Sequence, residues 1–190
     1  MTGNIFYFPK SRAATNETRA SEAETEQKRL VERVLAGDEA AFTELYRMFA
    51  PMVHGIALAR VPRDEADDLV QTVFLTAYKN LRSLRDRDAV GAWLATIARN
   101  RANEFYRSRK PTEELTADLS CARSARNEAQ EILDAILTLP ETYKETLVLR
   151  LVEGMTGAEI AAQTGMTAAS VRVNLHRGMQ LLRGKLGIEE

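Results

Sequence analysis

The chain has 190 residues and a formal net charge of −1, and its 45% apolar and 28% charged residues exclude a disordered polymer. Ten glycines and five prolines are few enough to favour helix, while a single cysteine, Cys121, excludes an internal disulfide. Neither an apolar run of about 18 residues nor a signal-peptide stretch is present, so a cytoplasmic protein without membrane insertion is expected.

Residues 1–27 combine one apolar cluster, Ile5-Phe6-Tyr7-Phe8, with a polar stretch lacking a sustained period, and are expected to be a mobile N-terminal extension. From Lys28 the pattern turns helical, with Leu30, Val31, Val34 and Leu35 on one side and Gly37 as the stop. Asp38 suits the cap of a helix with Ala41, Phe42, Leu45, Tyr46 and Phe49 inward. Pro51 and Pro62 both stand where helices can begin, and no helix of this region is expected to carry an internal proline. Asp64 is the expected cap of the next helix, whose face comprises Ala66, Leu69, Val70, Val73, Phe74, Ala77, Tyr78 and Leu81. After the charged loop Arg85-Asp86-Arg87-Asp88, a helix with Val90, Trp93, Leu94, Ile97, Ala98, Ala102 and Phe105 inward closes a domain over residues 28–110.

Residues 111–126 begin with Pro111, lose the period and form the expected flexible linker. Residues 127–190 then make a second domain. Ile132, Leu133, Ile136 and Leu137 line one helix, and Tyr143, Leu147, Val148 and Leu151 line another that Gly154 stops. Thr156-Gly-Ala-Glu159 has the form of a capping box, Gly165 supplies a left-handed turn position, and Thr167 caps a long last helix with Val171, Leu175 and Leu182 inward. Two helices joined by a short glycine turn make a helix-turn-helix. The fold class is therefore all-α, with two small helical domains and the helix-turn-helix in the second.

Charge is distributed unevenly. From Met166 to Leu186 the chain carries Arg172, Arg177, Arg183 and Lys185 and no acid. With Val171 and Leu175 inward, Ser170, Arg172, Val173, His176 and Arg177 point outward, where the second helix of this motif meets the major groove. The alternative is an ordinary helical hairpin with solvated arginines. Residues 83–110 hold seven cations against three acids, and Arg99, Asn103, Tyr106 and Lys110 form a stripe opposite the apolar face. Such a mixture suits phosphates and exposed bases, although a merely solvated face fits as well. Asp64, Glu65, Asp67 and Asp68 crowd the start of their helix, which favours its dipole, and Leu75 lies off the buried stripe, so this helix can also offer a docking face. Trp93 and Met179 are expected in the core.

In this order, these stretches resemble an RNA polymerase sigma factor of the extracytoplasmic-function group. Asp67-Asp-Leu-Val-Gln-Thr-Val-Phe-Leu-Thr-Ala-Tyr-Lys-Asn-Leu81 is similar to the core-binding helix, and Ala92-Trp-Leu-Ala-Thr-Ile-Ala-Arg-Asn-Arg-Ala-Asn103 to the part that opens and reads the minus-ten element. Leu139-Pro-Glu, Leu149-Arg-Leu-Val-Glu-Gly-Met-Thr, Glu159-Ile-Ala, Ser170-Val-Arg and Leu175-His-Arg resemble the domain that reads the minus-thirty-five element. The resemblance implies that Asp67, Asp68, Gln71 and Phe74 serve the clamp helices of the largest polymerase subunit, with Phe74 supporting from within. It implies that the Leu84–Ala89 loop, with Arg85, Asp86, Arg87 and Asp88, captures a flipped base beside Arg99, Asn100, Asn103 and Arg107. Ser170, Arg172, Val173, His176 and Arg177 fall at groove-reading positions. Thr72, where the family usually has an acid, and Val173-Asn174, in place of a commoner polar or basic pair, depart from the pattern.

The implied partners are core RNA polymerase, through its clamp helices and flap, promoter DNA and an anti-sigma factor, with no cofactor, no metal and no enzymatic activity. A dimeric operator-binding regulator and a small enzyme are the competing readings. The first is disfavoured by the docking helix and second basic stripe, and the second by carboxylates that cluster at helix starts and histidines without motif partners.

Overall fold

The computed structural model describes residues 16–108 and 128–187. The Ile5–Phe8 cluster, Lys110, and the expected linker at 111–126 with Cys121 lie outside them. Among the described residues all regular structure is helical, without a strand. The first domain comprises α1 (Asn16–Leu35), α2 (Glu39–Leu58), α3 (Arg63–Asn80) and α4 (Val90–Ser108). The second comprises α5 (Glu128–Leu137), α6 (Glu141–Leu151), α7 (Gly157–Thr164) and α8 (Ala168–Leu186).

Three boundaries differ from the sequence reading. Helix α1 begins at Asn16 rather than Lys28, because Asn16–Gln27 contains no glycine or proline and several strong helix formers, which sustain a helix without an apolar period. Helix α2 runs through Pro51 instead of restarting there. Pro51 gives no N–H to the preceding turn, a cost of about 3 kcal/mol. Phe49, Met52, Val53 and Ile56 on either side are completely buried, each contributing about 1.5–3 kcal/mol, so packing along one straight face outweighs the lost bond. Helix α3 starts at Arg63 with Pro62 at the cap position, which leaves Asp64 in the first turn beside Glu65 rather than at the cap.

The local signals elsewhere are realised. The Asp38 carboxylate accepts from Ala41 N–H at 3.1 Å. Thr156 and Glu159 close a reciprocal capping box, with Thr156 N–H donating to the Glu159 carboxylate at 2.7 Å. Thr167 Oγ1 accepts from Ser170 N–H at 3.1 Å at the start of α8.

Helix α2 is the hub: it packs against α1, α3 and α4 in its own domain and against α6 and α7 of the other. The two domains consequently share one continuous apolar core, running from Leu30 and Phe49 through Leu94 to Leu149, Ile160 and Leu182. Arg63 at the start of α3 also donates to the Gln130 side chain on α5.

Candidate nucleic-acid interface

The helix-turn-helix is α7, a turn through Gly165, and α8. Gly165 has φ +74°, a left-handed conformation that costs a side-chain-bearing residue, and an added Cβ would lie 2.8 Å from Ala92 Cβ. Val171, Gly178, Met179 and Leu182 turn α8 inward, and Leu175 is half-buried beside them. Ser170, Arg172, Val173, His176 and Arg177 are all exposed, as the sequence pattern requires. Among the described residues no acid pairs with Arg172, His176 or Arg177, so their donors face solvent on one side of the helix.

The basic stripe on α4 has a different setting. Asn103 and Tyr106 are exposed, but Arg99 is half-buried and faces the second domain. Its guanidinium grips the Glu145 carboxylate of α6 in a fork, with Nη2 to Oε1 at 2.7 Å and Nε to Oε2 at 3.2 Å. Arg60, just beyond α2, adds a third bond from Nη2 to Oε2 at 2.9 Å, and Glu141 lies 3.8 Å from its other terminal nitrogen. Glu145 is only 2% exposed. Burial pushes its carboxyl up, but the hydrogen bonds and charges of Arg99 and Arg60 override that and hold it below the usual carboxylate range. Arg60 Nε is buried with no partner among the described residues. Around this cluster opens a cleft of about 530 Å³, walled by Asn103 and Tyr106 on one side and by Thr142, Met166 and Asn174 on the other.

The loop expected to act with Arg99 is held at the other end of the domain. Leu84 packs on the core, and the Asp86 carboxylate accepts from Asp88 N–H at 3.1 Å to start a single 3-10 turn, Arg87–Ala89. Arg87 bonds Glu32 of α1 at 2.9 Å, and Asp88 lies 3.8 Å from Lys28. Arg85 is exposed. With about 1.5 Å of rise per residue, Arg99 lies roughly 14 Å along α4 from its first residue. Asn100 and Arg107 are exposed, and Arg101 pairs with Glu104 at 2.7 Å.

On α3, Asp67, Asp68 and Gln71 are exposed, and Phe74 is 3% exposed with its ring centroid 4.5 Å from Tyr46 and 6.5 Å from Phe42. Tyr78 does not join the buried face as its spacing suggested. It stacks edge-on with Phe42 at 4.9 Å yet is 54% exposed, because the helix end carries it past the rim of the core. Asp68, Gln71, Leu75 and Tyr78, at spacings of three and four, thus form one outward face, on which Leu75 is 62% exposed.

Sequence reasoning missed Glu145, and with it Arg60. Helix α6 reads as a one-sided helix if only Tyr143, Leu147, Val148 and Leu151 are counted; Glu145 and Leu149, four apart, mark a second buried face. The His54–Glu153 contact, 2.8 Å across the domain boundary, has no local signal at all. Among the described residues no group of three or more His, Cys, Asp or Glu is placed to hold a metal ion, and no helix is long and apolar enough to cross a membrane.

Comparison with known proteins matches residues 45–112 to Sigma-70 region 2 and residues 129–182 to Sigma-70, region 4. The chain is 30% identical over 176 residues to the ECF RNA polymerase sigma-E factor of Haemophilus influenzae, covering 83% of this chain and 93% of that one. It is 32% identical over 167 residues to the RNA polymerase sigma factor CarQ of Myxococcus xanthus, covering 83% and 95%. Its fold is similar to that of CnrH, solved in complex with the cytosolic domain of CnrY, with a TM-score of 0.61 and 24% identity over 87% of this chain and 99% of that one. It is also similar to the sigma factor RpoE of Bartonella quintana, solved with the anti-sigma factor NepR, at a TM-score of 0.54 and 21% identity over 78% and 98%.

Proposed function

The chain belongs to the extracytoplasmic-function group of RNA polymerase sigma factors, which bind core polymerase and direct initiation at promoters, and from that premise we propose how its residues divide the work. The outward face of α3, with Asp67, Asp68 and Gln71 extended by Leu75 and Tyr78, docks on the clamp helices of the largest subunit, and Phe74 stiffens that face from behind. The Leu84–Ala89 loop takes up a base extracted from the minus-ten element, and Arg99, Asn100, Asn103 and Arg107 follow the strand along α4. Extraction costs a few kcal/mol of stacking and pairing, which contacts to polymerase and strand offset without ATP. On α8, Ser170, Arg172, Val173, His176 and Arg177 enter the major groove of the minus-thirty-five element.

The observation that carries this division is the pair of outward faces. Helix α8 presents Arg172, His176 and Arg177, which no described acid engages, and α3 presents an acidic surface grading into exposed Leu75 and Tyr78. Linking two readers in one chain combines modest affinities through effective concentration. The protein acts in the cytoplasm and performs no catalysis of its own. An anti-sigma partner holds it inactive, a reading supported by the complex with an anti-sigma factor in which the Bartonella RpoE was solved, and the exposed α3 face is the surface we assign to it.

Run-off transcription with core polymerase from the same source tests the proposal. Addition of the chain is expected to give transcripts from discrete start sites on genomic fragments. A chain that binds the same fragments without polymerase, and adds no start sites with it, would show an operator-binding regulator instead.

A further inference from the structure

We propose that α1 sets the register of the loop between α3 and α4, with Lys28 and Glu32 as positioning residues, and that this leaves Arg85, of the loop's four charged residues, to select the extracted base. The inference rests on the reading of that loop given above and divides the work among its residues.

The loop is pinned at both ends. Leu81 is buried just after α3, Leu84 packs on the same core, and Val90 is fully buried at the start of α4. Only residues 85–89 lie between these anchors. Within them the Asp86 carboxylate accepts from Asp88 N–H at 3.1 Å and the Asp86 carbonyl oxygen from Ala89 N–H at 3.2 Å, which folds the segment into one tight turn. Helix α1 packs against that turn, Arg87–Ala89, and against the preceding one, Leu81–Ser83. At this contact Arg87 Nη1 donates to Glu32 Oε1 at 2.9 Å, and Lys28 Nζ lies 3.8 Å from Asp88 Oδ2.

Two exposed ion pairs add little to global stability, and α1 is held instead by buried Leu30 and Val31. Their effect is on register. Lys28 and Glu32 are four residues apart, so they share one face of α1, and they meet a run that alternates strictly, Arg85-Asp86-Arg87-Asp88. Sliding that run by one residue would set Lys28 against Arg87 and Glu32 against Asp86, turning both attractions into repulsions. In the placement that remains, Asp86 is engaged in the turn and Arg87 and Asp88 are engaged on α1. Arg85 is exposed, and no described acid pairs with it. A guanidinium presents parallel donors that match a base edge carrying two neighbouring acceptors. Guanine offers O6 with N7 and cytosine offers O2 with N3, whereas adenine and thymine set a donor beside the acceptors of the corresponding edges. Arg85 therefore favours guanine or cytosine as the extracted base.

Transcription by core polymerase carrying the full chain, from one promoter with each of the four bases placed in turn at every minus-ten position, tests this. The parent chain is expected to favour guanine or cytosine at one position, and Arg85→Ala to abolish that preference there alone. Glu32→Ala and Lys28→Ala are each expected to flatten the same preference by about fivefold, the reach of an exposed pair, with an unchanged urea-denaturation midpoint. Combining Glu32→Arg with Arg87→Glu remakes the pair with its charges exchanged and should restore the preference that Arg87→Ala loses. Unchanged preference in both Glu32→Ala and Lys28→Ala, with Arg85→Ala still acting at one position, would overturn the positioning by α1 and leave the reading of the loop intact. Failure of the charge exchange to restore the preference would mark Arg87 as a DNA contact and equally overturn it. A loss in Arg85→Ala that is equal for all four bases would mark a phosphate contact and overturn the assignment of Arg85. If no loop or α1 variant alters any minus-ten preference, the loop does not take up the base, and the inference falls with that reading.

Discussion

Arg99 and Arg172 carry the same guanidinium, and their surroundings give them different tasks. Arg172 stands exposed on α8 with no acid opposite, so its fork is free to meet guanine O6 and N7 or a phosphate. Arg172→Ala is expected to cost about 1–3 kcal/mol in minus-thirty-five binding and to relax preference at one base position. Binding to a set of single-base variants of the element checks this, because a loss spread evenly across all of them would mark a phosphate contact. Arg99 has already found its acceptor in Glu145, and no feature of the local sequence announces the pairing: the two residues are 46 apart, and Arg60 and Glu145 are 85 apart. What was legible at this scale was exposure on α8, which follows from helical spacing alone. What was not was any partner chosen by tertiary approach.

Helices show the same division between local and distant causes. The capping box at Thr156, the left-handed Gly165 and the Thr167 cap were legible because each is decided within four residues, and they position the helix-turn-helix. Pro51 was misread because the local rule that places proline at a helix start was overridden by a continuous buried face, and α1 was read short because its first turns rely on propensity instead of an apolar stripe. Helix α3 separates structure from function most cleanly. Phe74 sits inside the ring cluster with Phe42 and Tyr46, whereas Leu75, the next residue, is exposed. Phe74→Ala should destabilise the fold by about 3–5 kcal/mol, visible in urea denaturation, and weaken polymerase binding only through unfolding. Leu75→Asp should leave the denaturation midpoint nearly unchanged and weaken polymerase binding at least tenfold. An equal loss of stability in both would contradict the assignment of two sides to this helix.

At the scale of the whole molecule, the net charge of −1 is a cancellation between basic stretches on α4 and α8 and acids elsewhere. Contact between the domains adds a further cancellation, since Glu145 of one domain answers Arg99 and Arg60 of the other. The carboxyl has a lower pKa in this contact than when solvated, so its contribution to the contact is complete above the usual carboxylate range and is lost as pH falls through the lowered value. Arg60, Arg99 and Glu141 are the charged groups that face it, and His54 with Glu153 is the other titratable contact across the interface. Scattering across an acid titration should therefore show the parent chain expanding at the acid end, and Glu145→Gln, which retains the His54–Glu153 contact, already expanded at neutral pH. Identical profiles for the two proteins would remove Glu145 from the account.

The central claim, that two helical domains read two promoter elements on behalf of polymerase, is tested most directly by run-off transcription with core enzyme on one promoter whose two elements are altered separately. The account predicts that Arg172→Ala and His176→Ala change the response to upstream alterations alone, and that Asn103→Ala and Asn100→Ala change the response to minus-ten alterations alone. Transcription by the parent chain that is indifferent to both elements, or variants of either domain that respond identically to both, would contradict it.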